Sequence, residues 1–345
     1  MAQSIQYRAS HGTLILALDD ENVQAGIYTY TKLKLVTESY NAENKSYLTK
    51  AFNDYYLKKV IVVVAHDDAD GIKVSIDKAL SFLGKVRING WLVCPTATEE
   101  ETKQKICEFV KMQRNEEDFP LKAVVYNYPA DNEAIVNFTG TDLGDSITSE
   151  QFCLDVGCVL CGLDANEGIT NQNVKTVKTC DTKDDYNSHV QSGELFLYND
   201  GRHIKFSTGV NSLQTIGTEQ SEYLCKIRVV EVIDMVKSDL YELMDETYVG
   251  KYGNSYANRR ILVAGVNAYL KTITNEGYLS NDINSYAELD VEATRDYLNK
   301  KGIDTSDMDD KEVLAYKIDT HVFIKVYLYV MDVIEQIQIA INYDV

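Results

Sequence analysis

Short apolar runs and helix-length amphipathic stretches alternate along the first half of the chain. TLILAL (Thr13 to Leu18), VIVVVAH (Val60 to His66), GWLVCP (Gly90 to Pro95), KAVVYN (Lys122 to Asn127) and AIVNF (Ala134 to Phe138) have the length of buried strands. Helical periodicity fills several of the gaps, over Asn41 to Asn53, Ile76 to Leu83 and Glu99 to Gln113. Strand and helix in this alternation predict an α/β sheet layer with helices on its faces. From Ser149 to Asp164 the positions of Phe152, Val156, Val159, Leu160 and Leu163 predict another helix. The stretch from Glu167 to Ser192 is polar and reads as a loop or domain boundary, and ELFLYNDGRHIKFSTGV after it reads as a hairpin turning at Asn199-Asp200-Gly201.

Two long helices follow. Ile227, Val230, Ile233, Val236, Leu240 and Leu243 recur at three- and four-residue steps, with Ser221 as the expected N-cap and Gly250 past the end. The second, about Ser255 to Asn275, carries Ile261, Leu262, Val266, Tyr269 and Leu270 and stops near Gly277, and a shorter helix is predicted over Val291 to Lys300. Near the end the period changes to two. Val322, Ile324, Val326, Leu328 and Val330 share one parity, as do Ile337, Ile339, Ile341 and Tyr343. Two terminal strands are expected, the last an apolar edge without Pro or Lys that invites strand addition by a neighbouring chain. The expected organisation is an N-terminal arm (1–12), an α/β domain (13–165), a C-terminal domain mixing helix and strand (166–320) and terminal strands (321–345).

Composition narrows the function classes. At 345 residues and 45% apolar content the chain can bury a real core, and its formal charge of −19 disfavours phosphate backbones and anionic lipid surfaces. Neither nucleic acid nor direct membrane insertion is expected as a partner. No signal peptide or membrane-length apolar run is visible, so the protein is expected in cytosol. Seven cysteines without secretion signals are read as reduced thiols.

The candidates for chemistry have plainer readings. Cys153, Cys158 and Cys161 match a C-x4-C-x2-C iron–sulfur spacing with Cys180 as a fourth ligand, but they sit in a helix-periodic apolar segment where Cys is a small hydrophobe. No metal, cluster or cofactor is expected. HDDADGIKVSID resembles a calcium loop at Asp68, Asp70 and Gly71, yet His66 and Asp77 occupy the positions where an acidic first ligand and a bidentate Glu belong. His66, Asp67 and Asp68 also end a predicted strand, where open α/β sheets place ligands. That turn, His66 to Asp70, supports an alternative reading as an α/β enzyme; a closed homo-oligomer is a third. Lys251, Arg259, Arg260 and Lys271 form a basic cluster on or beside the second long helix, with a solvated helix face as the plainer account.

GVNSLQTI (Gly209 to Ile216), the segment from Lys226 to Leu279 and the terminal strands resemble the C-terminal region of contractile tail sheath proteins of myophages and phage-tail-like bacteriocins. NEAIVNFTGTD (Asn132 to Asp142) and the Cys153 to Gly162 helix fit in the same order. The resemblance implies a structural, non-enzymatic subunit of a virion or bacteriocin particle, assembled in the bacterial host cytoplasm. It implies self-association in hexameric rings stacked helically around a tail tube protein, with baseplate and tail terminator proteins at the ends, and contraction that drives the tube through an envelope. Strands donated between subunits would carry Ile5 and Tyr7 at the front and Ile337, Ile339, Ile341 and Tyr343 at the back, and the basic cluster would face the tube.

Overall fold

Strands that are apolar on both faces form the parallel core of the sheet. In β1 (Thr13–Leu18) every residue is buried. Leu14, Leu16 and Leu18 join the cluster on one face, Ile15 and Ala17 the cluster on the other. A strand covered on both sides has no polar alternation to display, which is why these segments read as continuous runs. The structure is a computed structural model that describes residues 12–66, 75–86, 88–144, 147–163, 167–217, 221–335 and 337–340.

Seven strands build this sheet: β1, β2 (Gly26–Tyr30), β3 (Lys59–Val64), β4 (Trp91–Val93), β5 (Lys122–Tyr126), β6 (Ile135–Phe138) and β8 (Glu194–Leu195), in the order β2-β3-β1-β4-β5-β6-β8. All neighbours are parallel except β2 and β3. Helices α1 (Ala42–Thr49) and α4 (Ser149–Gly162) contribute to one face cluster, and α2 (Ile76–Leu83) and α3 (Glu100–Asn115) to the other. The α/β expectation holds, with helices on both faces of a mostly parallel sheet.

Helix α4 is built to lie close to the sheet. A capping box between Thr148 and Gln151 starts it. A Cβ at Gly157 would stand 2.7 Å from Val93 Cγ2 and 3.1 Å from Leu14 Cδ1, so only glycine permits this approach. Phe152 packs against Phe138 at 5.1 Å and against Phe206 at 6.2 Å between ring centroids, with the rings tilted by 35° in both pairs. Cys153, Cys158 and Cys161 are buried in the same regular helix. Its one buried carboxylate, Asp155, accepts from Lys50 Nζ at 2.5 Å and from the Tyr55 hydroxyl at 2.6 Å. These two donors sit at the turn that ends α1, where a single wider helical turn spans Lys50–Asp54.

Several elements differ from the sequence reading. Strand β2 was not expected, because GIYTY is a half-exposed antiparallel edge with no apolar run. The polar stretch after Glu167 contains β7 (Asn173–Val174) and α5 (Tyr186–Gln191). The expected hairpin is divided: Glu194 and Leu195 join the large sheet, while β9 (Leu197–Asn199) and β10 (Ile204–Phe206) form a three-stranded sheet with β7. Ser221 caps a 3-10 turn, Glu222–Cys225, before α6 (Ile227–Thr247) starts. The chain divides into two compact units, one running to Glu231 and resuming at Val333, the other Val232–Asp332. The first division lies within α6, beyond the core helix α4, and the second falls after Asp332.

The second unit contains α7 (Tyr256–Asn275), α8 (Val291–Lys300), α9 (Asp310–Ala315) and the antiparallel pair β11 (Tyr286–Leu289) and β12 (Ile324–Tyr327), together with most of α6. Leu298, Val313 and Ile318 make a small core of their own.

Asp155→Ala removes the shared acceptor of Lys50 and Tyr55 and should lower unfolding free energy by about 3 kcal/mol, against about 1 kcal/mol for Tyr55→Phe. Urea unfolding followed by circular dichroism measures both, and equal costs would refute the central role of the carboxylate. Burial raises the thiol pKa of Cys94, Cys107, Cys153, Cys158 and Cys161 and so shrinks the reactive thiolate fraction at pH 8. Cys180 and Cys225, only partly buried, should be alkylated first by iodoacetamide in the native protein; mass spectrometry showing early modification of Cys158 would contradict the packing of α4.

Candidate assembly interfaces

Among the described residues, the chemistry-bearing side chains do not converge. His66 lies two residues past the C-terminal end of β3, an interior strand of the large sheet, while Asp67, Asp68, Asp70 and Gly71 lie outside the described residues. Asp77 stands in the first turn of α2 and pairs with Lys105 at 2.8 Å. Near His66, desolvation raises the Asp19 carboxyl pKa and the His66 charge opposes that shift. Cys180 is outside α4, and among the described residues no group of three or more His, Cys, Asp or Glu is arranged to hold a metal ion. Among the described residues, no helix is long and apolar enough to cross a membrane.

Assembly surfaces are better defined. The alternation from Val322 to Val330 yields a strand of only four residues, Ile324–Tyr327, because its partner β11 is four residues long and Asp290 then caps α8. Period-2 patterning sets which face a residue takes and leaves the length of its partner open. Tyr286 and Tyr327 stack across the pair at 4.6 Å. The far edge of β11 is occupied: Asn267 of α7 donates to the Ala287 carbonyl at 2.9 Å and accepts from the Ala287 N–H at 2.8 Å. A side chain thus fills the hydrogen bonds that another strand would use there. The opposite edge, along β12, pairs with no strand among the described residues.

Beyond β12 the chain bridges Val330 to Leu279 and Met331 N–H to the Tyr278 carbonyl. Of the expected final strand, the described residues 337–340 belong to no strand. Ile334, Ile337 and Ile339 are 84%, 76% and 79% exposed. Ile341, Tyr343, Ile5 and Tyr7 lie outside the described residues. Three exposed isoleucines so close together are unusual on a surface that no partner covers.

The basic cluster is only partly a surface. Arg259 is 3% exposed and donates from Nη2 to the Tyr316 carbonyl at 3.0 Å, so it leaves the candidate contact face. Its place in the helix explains this, since Arg259, Leu262, Val266, Leu270 and Ile273 form one buried stripe. Ile261, expected in that stripe, is 56% exposed. Arg260 and Lys271 are exposed and lie about three turns apart on one face. Lys251 is exposed and donates to the Glu246 carbonyl. Sequence reasoning also passed over Lys226 and Glu335, which form an ion pair. Their separation in the chain, with no shared periodicity, left no local signal of the contact.

Residues 219–343 match the phage tail sheath C-terminal domain family. The tail sheath protein of Clostridium phage phiCD119 is 31% identical over 314 residues, covering 88% of this chain and 86% of that one. The solved sheath tail protein of Desulfitobacterium hafniense matches with a TM-score of 0.68 at 14% identity, covering 93% of this chain and 97% of that one. The helical sheath of the anti-feeding prophage in its contracted state matches with a TM-score of 0.67 at 10% identity, covering 97% and 94%. At those identities the two structures speak for the fold, and the phage relative carries the family. A doubly covered sheet, a second unit matched by the sheath domain family and a phage relative aligned over most of both chains lead to one assignment: the chain belongs to the tail sheath proteins, structural subunits of contractile tails.

Proposed function

We propose that this subunit polymerises with copies of itself, as hexameric rings stacked helically around a tail tube protein, by donating the segment around Ile337 and Ile339 to a neighbour. The observation that carries this reading is the exposure of Ile334, Ile337 and Ile339 on a stretch whose described residues join no strand of their own subunit. Each isoleucine fully buried against another chain contributes about 1.5–3 kcal/mol, so a few such anchors suffice to drive assembly. The open edge of β12 suits a donated strand from another copy, because the other side of that small sheet is blocked by Asn267. Ile341 and Tyr343 extend the donated strand, and Ile5 and Tyr7 belong to a second, front arm.

Work in such an assembly is mechanical. Contacts between bodies exchange as the lattice contracts, while donated strands keep neighbours linked. A catalytic role is not part of this reading, nor are cofactors, nucleic acid or direct membrane insertion. Baseplate and tail terminator proteins bound the ends of the cylinder, in a virion or bacteriocin particle assembled in the bacterial host cytoplasm. The exposed cations Lys251, Arg260 and Lys271 face the tube, and Arg259 acts as a packing residue within the second unit.

Removing residues 336–345 should leave a soluble subunit with an unchanged melting transition that forms no cylinders in electron micrographs. Ile339→Asp should act the same way, since it forces an unpaired charge into the strand contact. Cylinders of normal length from the truncated chain would refute donation, and a closed homo-oligomer would show as discrete particles of the intact protein. Reversing Arg260 and Lys271 to Glu should weaken co-sedimentation with the tube protein severalfold without altering the melt; undiminished co-sedimentation would remove the tube face from these residues.

A further inference from the structure

Between Asp332 and the exposed isoleucines, the chain is held on the first unit at a compact grip. Glu335 Oε1 accepts from Thr170 Oγ1 at 2.6 Å, and Oε2 accepts from Lys226 Nζ. The side chains of the ion pair are only 24% and 16% exposed. Two residues earlier, Val333 sits on Gly168, where an added Cβ would come within 3.1 Å of Val333 Cγ2.

Both partners of Glu335 are themselves fixed by the GVNSL turn. Thr170 Oγ1 accepts from the Gly209 N–H at 2.8 Å, and the backbone of Lys226 bridges antiparallel to Val210. The Ile227 N–H closes the turn on the Gly209 carbonyl at 3.1 Å. Gly209 is required there, because a Cβ would meet Ile169 Cγ2 at 2.7 Å. The side-chain pattern changes at the same place. Val333 and Glu335 are partly buried with Ile334 outward, but beyond Glu335 the alternation is gone and the described residues 337–340 are all exposed. Among the described residues, Glu335 is the last one attached to the subunit.

We infer that Glu335, gripped by Lys226 and Thr170 on the GVNSL turn, is the anchor that grafts the donated segment onto its own subunit and takes up load passing along it. This rests on the strand-donation reading. A strand shared between subunits transmits force only if its root is fixed. Otherwise tension peels the chain back through Val330 and Met331 toward β12, one hydrogen bond at a time. A partly shielded carboxylate with two donors must lose both at once, one of them charge-assisted. Recoil is thereby confined to residues beyond Glu335. The same grip gives GVNSL a role that its polar, turn-forming character alone does not explain.

Hydrogen exchange on the full-length subunit tests the grip without requiring assembly. Glu335→Gln should accelerate exchange of the amides of residues 333–335 by roughly tenfold while the amides of β1 and β3 keep their protection. The charge-exchanged pair Lys226→Glu with Glu335→Lys should recover much of the protection. Unchanged local exchange in Glu335→Gln, or acceleration spread equally over the large sheet, would overturn the anchor. Cylinders assembled from Glu335→Gln should dissolve at lower guanidinium concentration than wild type. Equal resistance, in a protein whose 336–345 truncation abolishes cylinders, would refute the anchor and leave strand donation standing. Full cylinders from the truncated chain would instead refute donation, and the anchor's role with it.

Discussion

Burial of parallel strands on both faces is the constraint on which the first unit depends. Every polar backbone group of β1 and β3 must be paired within the sheet, and every side chain must meet a helix or another strand. This forces the helices onto both faces and leaves few tolerances between layers. Gly157 is one consequence, since α4 approaches Val93 and Leu14 more closely than any side chain would allow. Asp155 is another: a carboxylate in so dry a place persists only because Lys50 and Tyr55 meet it directly. Together they make a body that resists deformation, as close-packed interiors do.

Much of this was legible in the sequence. Five of the parallel strands announce themselves as apolar runs because burial on two faces removes ambiguity about parity. Helices with one apolar stripe were readable to within a few residues, as Ile76–Leu83 and Val291–Lys300 illustrate. What stayed hidden depended on distant partners. The strand Gly26–Tyr30 exists because β3 offers it an edge, and Glu194–Leu195 leaves its expected hairpin because β6 has a vacant side. Arg259 looked like part of a basic surface until the register of the buried stripe put it beside Tyr316. The terminal alternation is a pattern of apolar positions, and patterning does not say whether the partner lies in the same chain.

That last ambiguity bears on how edges are managed. A sheet edge that pairs with anything is an aggregation hazard, and proteins blunt such edges where pairing is unwanted. Here β2 closes one side of the large sheet in antiparallel fashion, and Asn267 fills the hydrogen bonds of β11. The edge of β12 and the isoleucines after Glu335 carry no comparable protection among the described residues. Selective protection of this kind favours a designated partner over a surface left exposed by chance.

Stabilising energy is therefore divided by location. The buried clusters on either side of the sheet stabilise the subunit whether or not it is assembled. The apolar surface of Ile334, Ile337 and Ile339 yields its hydrophobic free energy only when another surface covers it. A contractile lattice requires this separation. If rearrangement drew on the core, each subunit would approach unfolding as contacts exchanged; if the linking strands drew on the core, they would be lost with it. Keeping linkage energy between chains lets neighbours change position while each body retains its fold.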